Sequence, residues 1–253
     1  MTLNHLWKTF RRFVYETGIR WGWEIRRWPH PATYAGALKQ ILNSRNINCI
    51  IDVGANRGQF ALLTRKLGYR GRIVSIEPGS EAFKVLESLA AADKDWLVLR
   101  MALGAEPGKA KLHITSWDEL SSLLLPTVHI HRYSPHLSQV VRVEEVSVST
   151  LTLLFDELIE GISEPRVFLK IDTQGYDFEV LKGAETVLSR IDALQVEVAF
   201  VPLYNGQPSG YEVISWCESH GFRLHGLFPI VHDPSGYLVE ADAIFVRIKE
   251  NGG

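Results

Sequence analysis

Cys49-Ile50-Ile51-Asp52-Val53-Gly54-Ala55-Asn56-Arg57-Gly58-Gln59-Phe60 is the stretch that decides the fold. Three apolar residues, Cys49 to Ile51, lead into a glycine-bearing turn, after which Phe60, Leu63 and Leu67 recur at helical spacing. The pattern predicts strand, tight turn, helix. Glycines at 54 and 58 let the backbone pass close to a ligand at the helix N-terminus, where free N–H groups and the helix dipole sit. The spacing is GxxxG and not GxGxxG, and no Lys-Ser/Thr follows, so a pyrophosphate cradle is disfavoured.

Working outward, Arg72 to Ile76 is a compact apolar strand that ends in Glu77-Pro78, about 20 residues after the turn. An acid there can accept both hydroxyls of a ribose, so turn and acid together predict a nucleoside site built on Asp52, Asn56 and Glu77. Ser80 to Ala91 reads as a helix and Trp96 to Met101 as a third strand. A second anchor follows downstream. Arg166 to Ile171 is a central strand ending in Asp172-Thr173-Gln174-Gly175-Tyr176-Asp177, with a helix running on to Leu188. The fifth strand, Ala193 to Ala199, carries Glu197 near its carboxyl end. Ligands of a doubly wound sheet gather at the carboxyl ends of its strands, so Asp172 and Glu197 are expected to converge on one cleft.

IDVGANRGQF followed by SIEP, and later LKIDTQGYDFEVLKGAE, resembles the FkbM family of S-adenosylmethionine-dependent methyltransferases, from about Cys49 to Val246. The resemblance implies a doubly wound, mostly parallel seven-stranded sheet of the class I, Rossmann-like methyltransferase type, with an antiparallel last strand. It also implies S-adenosylmethionine as cofactor, with Asp52, Gly54, Asn56 and Gly58 at its methionine part and Glu77 at its ribose. By position it draws Met101, Ala102 and Leu103 toward the adenine, and Ser122 of Ser121-Ser122-Leu123 toward the cofactor. Asp242, near the start of the last strand, also resembles a family position.

At 253 residues, 46% apolar and 22% charged, the chain has the composition of one α/β core plus a small extension. The expected division is a helical extension over 1–43 and a Rossmann-like domain over 44–253, with an acceptor-side insertion around 117–140. A net charge of -2 gives no global reason to expect nucleic acid. Two cysteines, Cys49 and Cys217, suggest no disulfide framework and a reducing, cytoplasmic compartment. No apolar run approaches the roughly 18 residues of a membrane span.

Charge is unevenly spread. Residues 1–39 hold seven Lys and Arg against two Glu, a net +5, which leaves the remainder near -7. Between residues 3 and 28 these cations interleave with Trp7, Phe10, Phe13, Tyr15, Trp21, Trp23 and Trp28, and Leu6, Phe10, Phe13 and Val14 share a helical face. The reading favoured here is a helix packed on the core or on a second subunit, as in a homodimer, because Gly18 and Gly22 interrupt the pattern. The functional alternatives are peripheral contact with an anionic membrane surface and cover for the active site.

Lys109 to Thr115 alternates like an edge strand, and Leu124 to Gln139 reads as an irregular acceptor-side lid holding His129, His131 and His136. The His129-x-His131 pair has no matched third metal ligand nearby; either histidine is a candidate general base.

Methyl transfer from a sulfonium needs alignment and a route for the acceptor's proton. Asp172 is the first candidate for the base, and it also lies where a cofactor contact is expected. An alternative has Asp172 and Glu197 hold a divalent cation, but Val198 and Ala199 follow Glu197 where a second acid would be wanted. Glu197 could equally be a buried partner of Lys170. The acceptor implied by the resemblance is a small molecule or glycan, a hydroxyl of a sugar or of a glycosylated or polyketide-type natural product. The rivals are an NAD-dependent or nucleotide-sugar oxidoreductase and a non-catalytic, membrane-associated cofactor-binding protein. No Tyr has a Lys four residues later, which weighs against a short-chain oxidoreductase.

Overall fold

The computed structural model describes residues 3–23, 28–134 and 136–248. Residues 24–27, part of the aromatic and basic segment, and residue 135 of the expected lid lie outside the described residues. The chain divides into two compact units, residues 1–40 and 41–253.

The first unit contains α1 (Leu3–Arg20) and the start of α2 (Tyr34–Ser44). The Gly18 carbonyl, freed by the helix end, accepts from the N–H groups of Trp21 and Trp23 at 3.0 and 2.8 Å. Trp7, Phe10 and Phe13 are exposed.

The second unit is built on β1 (Cys49–Val53), α3 (Gln59–Lys66), β2 (Arg72–Ile76), α4 (Ser80–Ala90), β3 (Trp96–Leu99), β4 (Ala102–Leu103), β5 (Gly108–Thr115), α5 (Val128–Tyr133), β6 (Val140–Ser149), α6 (Leu151–Leu158), β7 (Val167–Ile171), α7 (Asp177–Gly183), β8 (Ile191–Ala199), α8 (Gly210–Ser219), β9 (Phe222–His232) and β10 (Leu238–Arg247). Its main sheet has the order β3-β2-β1-β7-β8-β10-β9, parallel throughout except that β10 runs antiparallel to β8 and β9. This is the expected doubly wound, seven-stranded sheet with an antiparallel last strand. β1 and β7 are buried along their whole length, which is why they read as near-continuous apolar runs. One face of the sheet, with Ile51, Val53, Val74, Ile76, Leu169, Ile171, Leu194 and Val196, joins Phe155, Val180, Leu181 and Phe245 in the main core.

Three local expectations are corrected. The third strand ends at Leu99, because Ala102 and Leu103 leave the main sheet to pair with Val148 and Ser149 in a second, three-stranded sheet of order β4-β6-β5. The alternating Lys109–Thr115 stretch is an edge of that small sheet. The helix after Tyr176 stops at Gly183 and continues as a 3-10 turn over Glu185–Arg190. Gly183 is pressed against the Gly104 backbone: a Cβ there would stand 1.9 Å from the Gly104 carbonyl oxygen. Finally, the segment read as irregular contains the short helix α5, whose first turn is capped by Thr127 accepting from the His129 N–H.

Candidate active site

Parallel β1 and β2 bring the glycine turn and Glu77 together. The Gly54 and Ala55 N–H groups donate to the Ile76 carbonyl at 2.9 and 3.1 Å, which holds the turn against the end of β2. Glu77, 8% exposed, then accepts from the Asn56 N–H through Oε2 at 2.8 Å and from the Gly79 N–H through Oε1 at 2.7 Å. Each carboxylate oxygen keeps a further lone pair. Burial outweighs these two hydrogen bonds and pushes the Glu77 carboxyl up to about 7.

Gly54 has φ 75°, a region that glycine enters without cost. A Cβ here would lie 1.8 Å from the Asp172 carbonyl oxygen, so the two motif turns are in backbone contact. Asn56, also left-handed with φ 46°, accepts from the Arg57 N–H through its own Oδ1 at 2.7 Å. Gly58 is the left-handed residue before α3.

A polar row crosses the otherwise apolar sheet. Register places Ser75 beside Asp52, Asp52 beside Lys170, and Lys170 beside Gln195, all on one face. Asp52 is fully buried, and the Lys170 ammonium sits 3.2 Å from Asp52 Oδ1 and 3.2 Å from Asp172 Oδ2. Lys170 therefore pairs with Asp52 and Asp172, where Glu197 had been considered as its partner. Burial raises the Asp52 carboxyl against the opposing pull of Lys170. Asp52 faces this row, one residue before the end of β1 and beneath the turn that follows.

Asp172 and Glu197 do converge. Gln174, left-handed at φ 54°, donates through Nε2 to Asp172 Oδ1 at 3.2 Å and to Glu197 Oε2 at 3.0 Å. The buried Tyr204 hydroxyl lies 2.8 Å from Gln174 Oε1 and 3.0 Å from the Leu120 carbonyl. Asp177 staples the loop from below by accepting the Thr173 and Gly175 N–H groups at 2.9 and 3.0 Å. Asp242, opposite Glu197 in the β8–β10 register, accepts from Gln195 Nε2 at 2.9 Å. The Asp172 side chain is 33% exposed, whereas Glu197 and Glu240 are buried; Asp172 and Asp242 are the partly exposed acids of this group. Burial, then Glu240 and Asp172, drive the Glu197 carboxyl well up. Burial and Asp172 push Glu240 up to about 8, and Glu240 Oε1 has no hydrogen-bond partner.

The insertion reaches the turn at one end and this cluster at the other. Arg57 donates through Nε and a terminal nitrogen to Asp118 Oδ2 at 2.9 and 2.6 Å, and Gln59 Nε2 to Glu119 at 2.8 Å. Ser122, 2% exposed, donates to the Gln174 carbonyl at 2.7 Å. His131 Nδ1 lies 2.7 Å from Ser138 Oγ, whose own hydrogen goes to the Ser134 carbonyl; the imidazole must then carry its proton on Nδ1. Among the described residues no group of three His, Cys, Asp or Glu side chains has metal-holding geometry. Leu103 packs in the main core and Ala102 in the core of the small sheet.

Gln174, Tyr204 and Glu240 are the site residues that sequence reasoning missed. Gln174 lies within the quoted motif, so its signal was present; Tyr204 and Glu240 become neighbours only through tertiary pairing.

The arrangement fits an S-adenosylmethionine site. A buried acid with spare lone pairs stands at the end of β2, and the buried Thr173 hydroxyl, which has no hydrogen-bond partner, belongs to the loop pressed on Gly54. Residues 52–224, more than half of the chain, match the Methyltransferase FkbM domain. Among solved structures, an FkbM methyltransferase from Methylobacillus flagellatus KT superposes with TM-score 0.48 at 13% identity, covering 79% of this chain and 44% of that one. The chain thus spans under half the length of the Methylobacillus protein. A putative RNA methyltransferase from Pyrococcus horikoshii gives 0.43 at 14% identity over 89% and 86% of the two chains. The magnesium protoporphyrin IX methyltransferase of Synechocystis PCC 6803, solved with bound SAM, gives 0.46 at 10% identity over 85% and 78%. None of the three bears on what this chain acts upon. No curated protein is similar enough to match. The chain belongs to the FkbM family of S-adenosylmethionine-dependent methyltransferases.

Proposed function

We propose that this enzyme methylates a hydroxyl oxygen of a small-molecule or glycan acceptor, a sugar or a glycosylated or polyketide-type natural product, in the cytoplasm. When bound, S-adenosylmethionine would supply an electrophilic methyl group, its C–S bond breaking as the new C–O bond forms. Gly54, Asn56 and Gly58 hold the methionine part, with Asp52 fixing the turn from beneath through Lys170. Glu77 takes the ribose hydroxyls, the Ala102–Leu103 backbone borders the adenine, and Ser122 keeps Gln174 in place beside the cofactor.

Asp172 accepts the acceptor's proton. The observation that carries this assignment is the combination of its accessibility with its anchoring, 33% exposed yet held by Lys170 on one side and Gln174 on the other. Glu197, buried beside Asp172, positions Gln174 by accepting from its Nε2. His129 and His131 border the acceptor from the lid.

The test is methyl transfer from S-adenosylmethionine to a panel of monosaccharide, glycosylated and polyketide alcohols. Asp172→Asn is expected to lower kcat by about 10² to 10⁴ while cofactor affinity stays within about threefold. An Asp172→Asn enzyme with wild-type kcat, beside a His131→Ala enzyme that is inactive, would move the base to the lid.

A further inference from the structure

No residue before Asp52 enters the chemistry above, yet residues 3–23 present a surface that calls for a partner. At 100° per residue, Trp7, Phe10, Phe13, Val14 and Thr17 of α1 fall within an arc of about 120°. Arg12 and Glu16 lie on the other side of the helix, and Arg20 borders the arc next to Phe13. The three rings on the apolar arc are 60%, 58% and 63% exposed, and Trp21 and Trp23 beyond the helix end are 79% and 71% exposed. Tyr15 and Ile19 are the exceptions, exposed on the charged side.

We propose that residues 3–23 form an interfacial helix and turn that lie on the surface of an anionic lipid bilayer, the rings entering the headgroup region and the flanking cations meeting lipid phosphates. Three features favour lipid over a second copy of the chain. Residues 3–23 carry four Lys and Arg against one Glu, a net +3, so pairing two copies through this segment would set like charge against like, whereas an anionic surface complements it. Four of the seven tryptophans, Trp7, Trp21, Trp23 and Trp28, fall in the first 28 residues, and tryptophan is the side chain most suited to the boundary between headgroups and acyl chains. The helix combines an exposed apolar arc with charge along its length, as a segment lying in the interface does. No helix among the described residues is long and apolar enough to cross a membrane, so the contact is peripheral.

Sedimentation of the full chain with vesicles tests this. Partition onto vesicles of phosphatidylcholine and phosphatidylglycerol, about 3:1, is expected to be at least about tenfold stronger than onto phosphatidylcholine alone, and to fall in about 0.5 M salt as charge is screened. The combined Trp7→Ala, Phe10→Ala and Phe13→Ala variant should bind at least about tenfold less while titrating S-adenosylmethionine as the wild type does, which establishes that it is folded. Binding equal on both vesicle types, binding to neither, or a variant that binds like wild type would overturn the proposal. So would a concentration-dependent dimer that the three substitutions dissolve.

Discussion

Lys170 stands in the middle of a strand whose neighbours Phe168, Leu169 and Ile171 are all fully buried, and its own side chain is 7% exposed. Its ammonium lies between two carboxylates, Asp52 and Asp172, each at 3.2 Å. Removing one member of such a group leaves buried charge uncompensated, so Lys170→Met is expected to cost about 3–5 kcal/mol in urea unfolding, with Asp52→Asn restoring part of the loss. Gly54→Ala meets two obstacles, the left-handed backbone and the Asp172 carbonyl. It should lose at least about 2 kcal/mol and with it the register between the two motif turns; a stability within about 0.5 kcal/mol of wild type would refute the close approach. Legibility at this scale divides along a physical line. Asp172, Glu197 and Glu77 were readable because each sits at the carboxyl end of an apolar strand, a position the fold class assigns to ligands. Lys170's partners, Tyr204 and Glu240 were not, because cross-strand neighbours depend on a register that no local spacing encodes.

The insertion between β5 and β6 is the element that joins turn to acid cluster. Its contacts with the turn are Arg57 to Asp118 and Gln59 to Glu119, and Arg57 is half exposed, so their value to global stability is small. Their value is local. Arg57→Ala should shift the unfolding midpoint by no more than about 0.5 kcal/mol while speeding limited proteolysis within 117–140 and weakening cofactor binding several-fold. Unchanged cleavage rates would show that the clamp does not hold the segment. The sequence marked the insertion by its length and histidines. It gave no sign that β4, β5 and β6 form a separate sheet, since an alternating strand looks the same at the edge of either sheet. The capped helix α5 was hidden too: six residues are too few for a periodic signal to emerge, and only Thr127 could have announced it.

At the scale of the whole molecule, buried acids set the pH dependence. Burial raises Glu77 to about 7, Asp177 and Asp242 to about 6, and Glu240 to about 8, and moves Glu197 in the same direction. An acid raised in the folded state binds protons that the unfolded chain has released, so its contribution is greatest at low pH and is lost as pH rises through the folded value. The lowered acids Asp93, Glu144 and Glu212 act in the opposite sense and lose their contribution only as pH falls toward strongly acid conditions. The cofactor-free enzyme is therefore expected to melt at progressively lower temperature from about pH 5.5 to 8.5, and Glu240→Gln to flatten the upper part of that slope. A melting temperature that rises over this range would contradict the assignment of these groups.

The central claim, that the turn at Gly54 and the acid Glu77 form a cofactor site for methyl transfer, is tested most directly by calorimetric titration of S-adenosylmethionine, and separately NAD, into wild type and Glu77→Ala. The account predicts micromolar binding of S-adenosylmethionine that weakens at least about tenfold in the variant, consistent with loss of charge-assisted hydrogen bonds, and no binding of NAD. Binding of NAD instead, or S-adenosylmethionine affinity indifferent to Glu77→Ala, would contradict it.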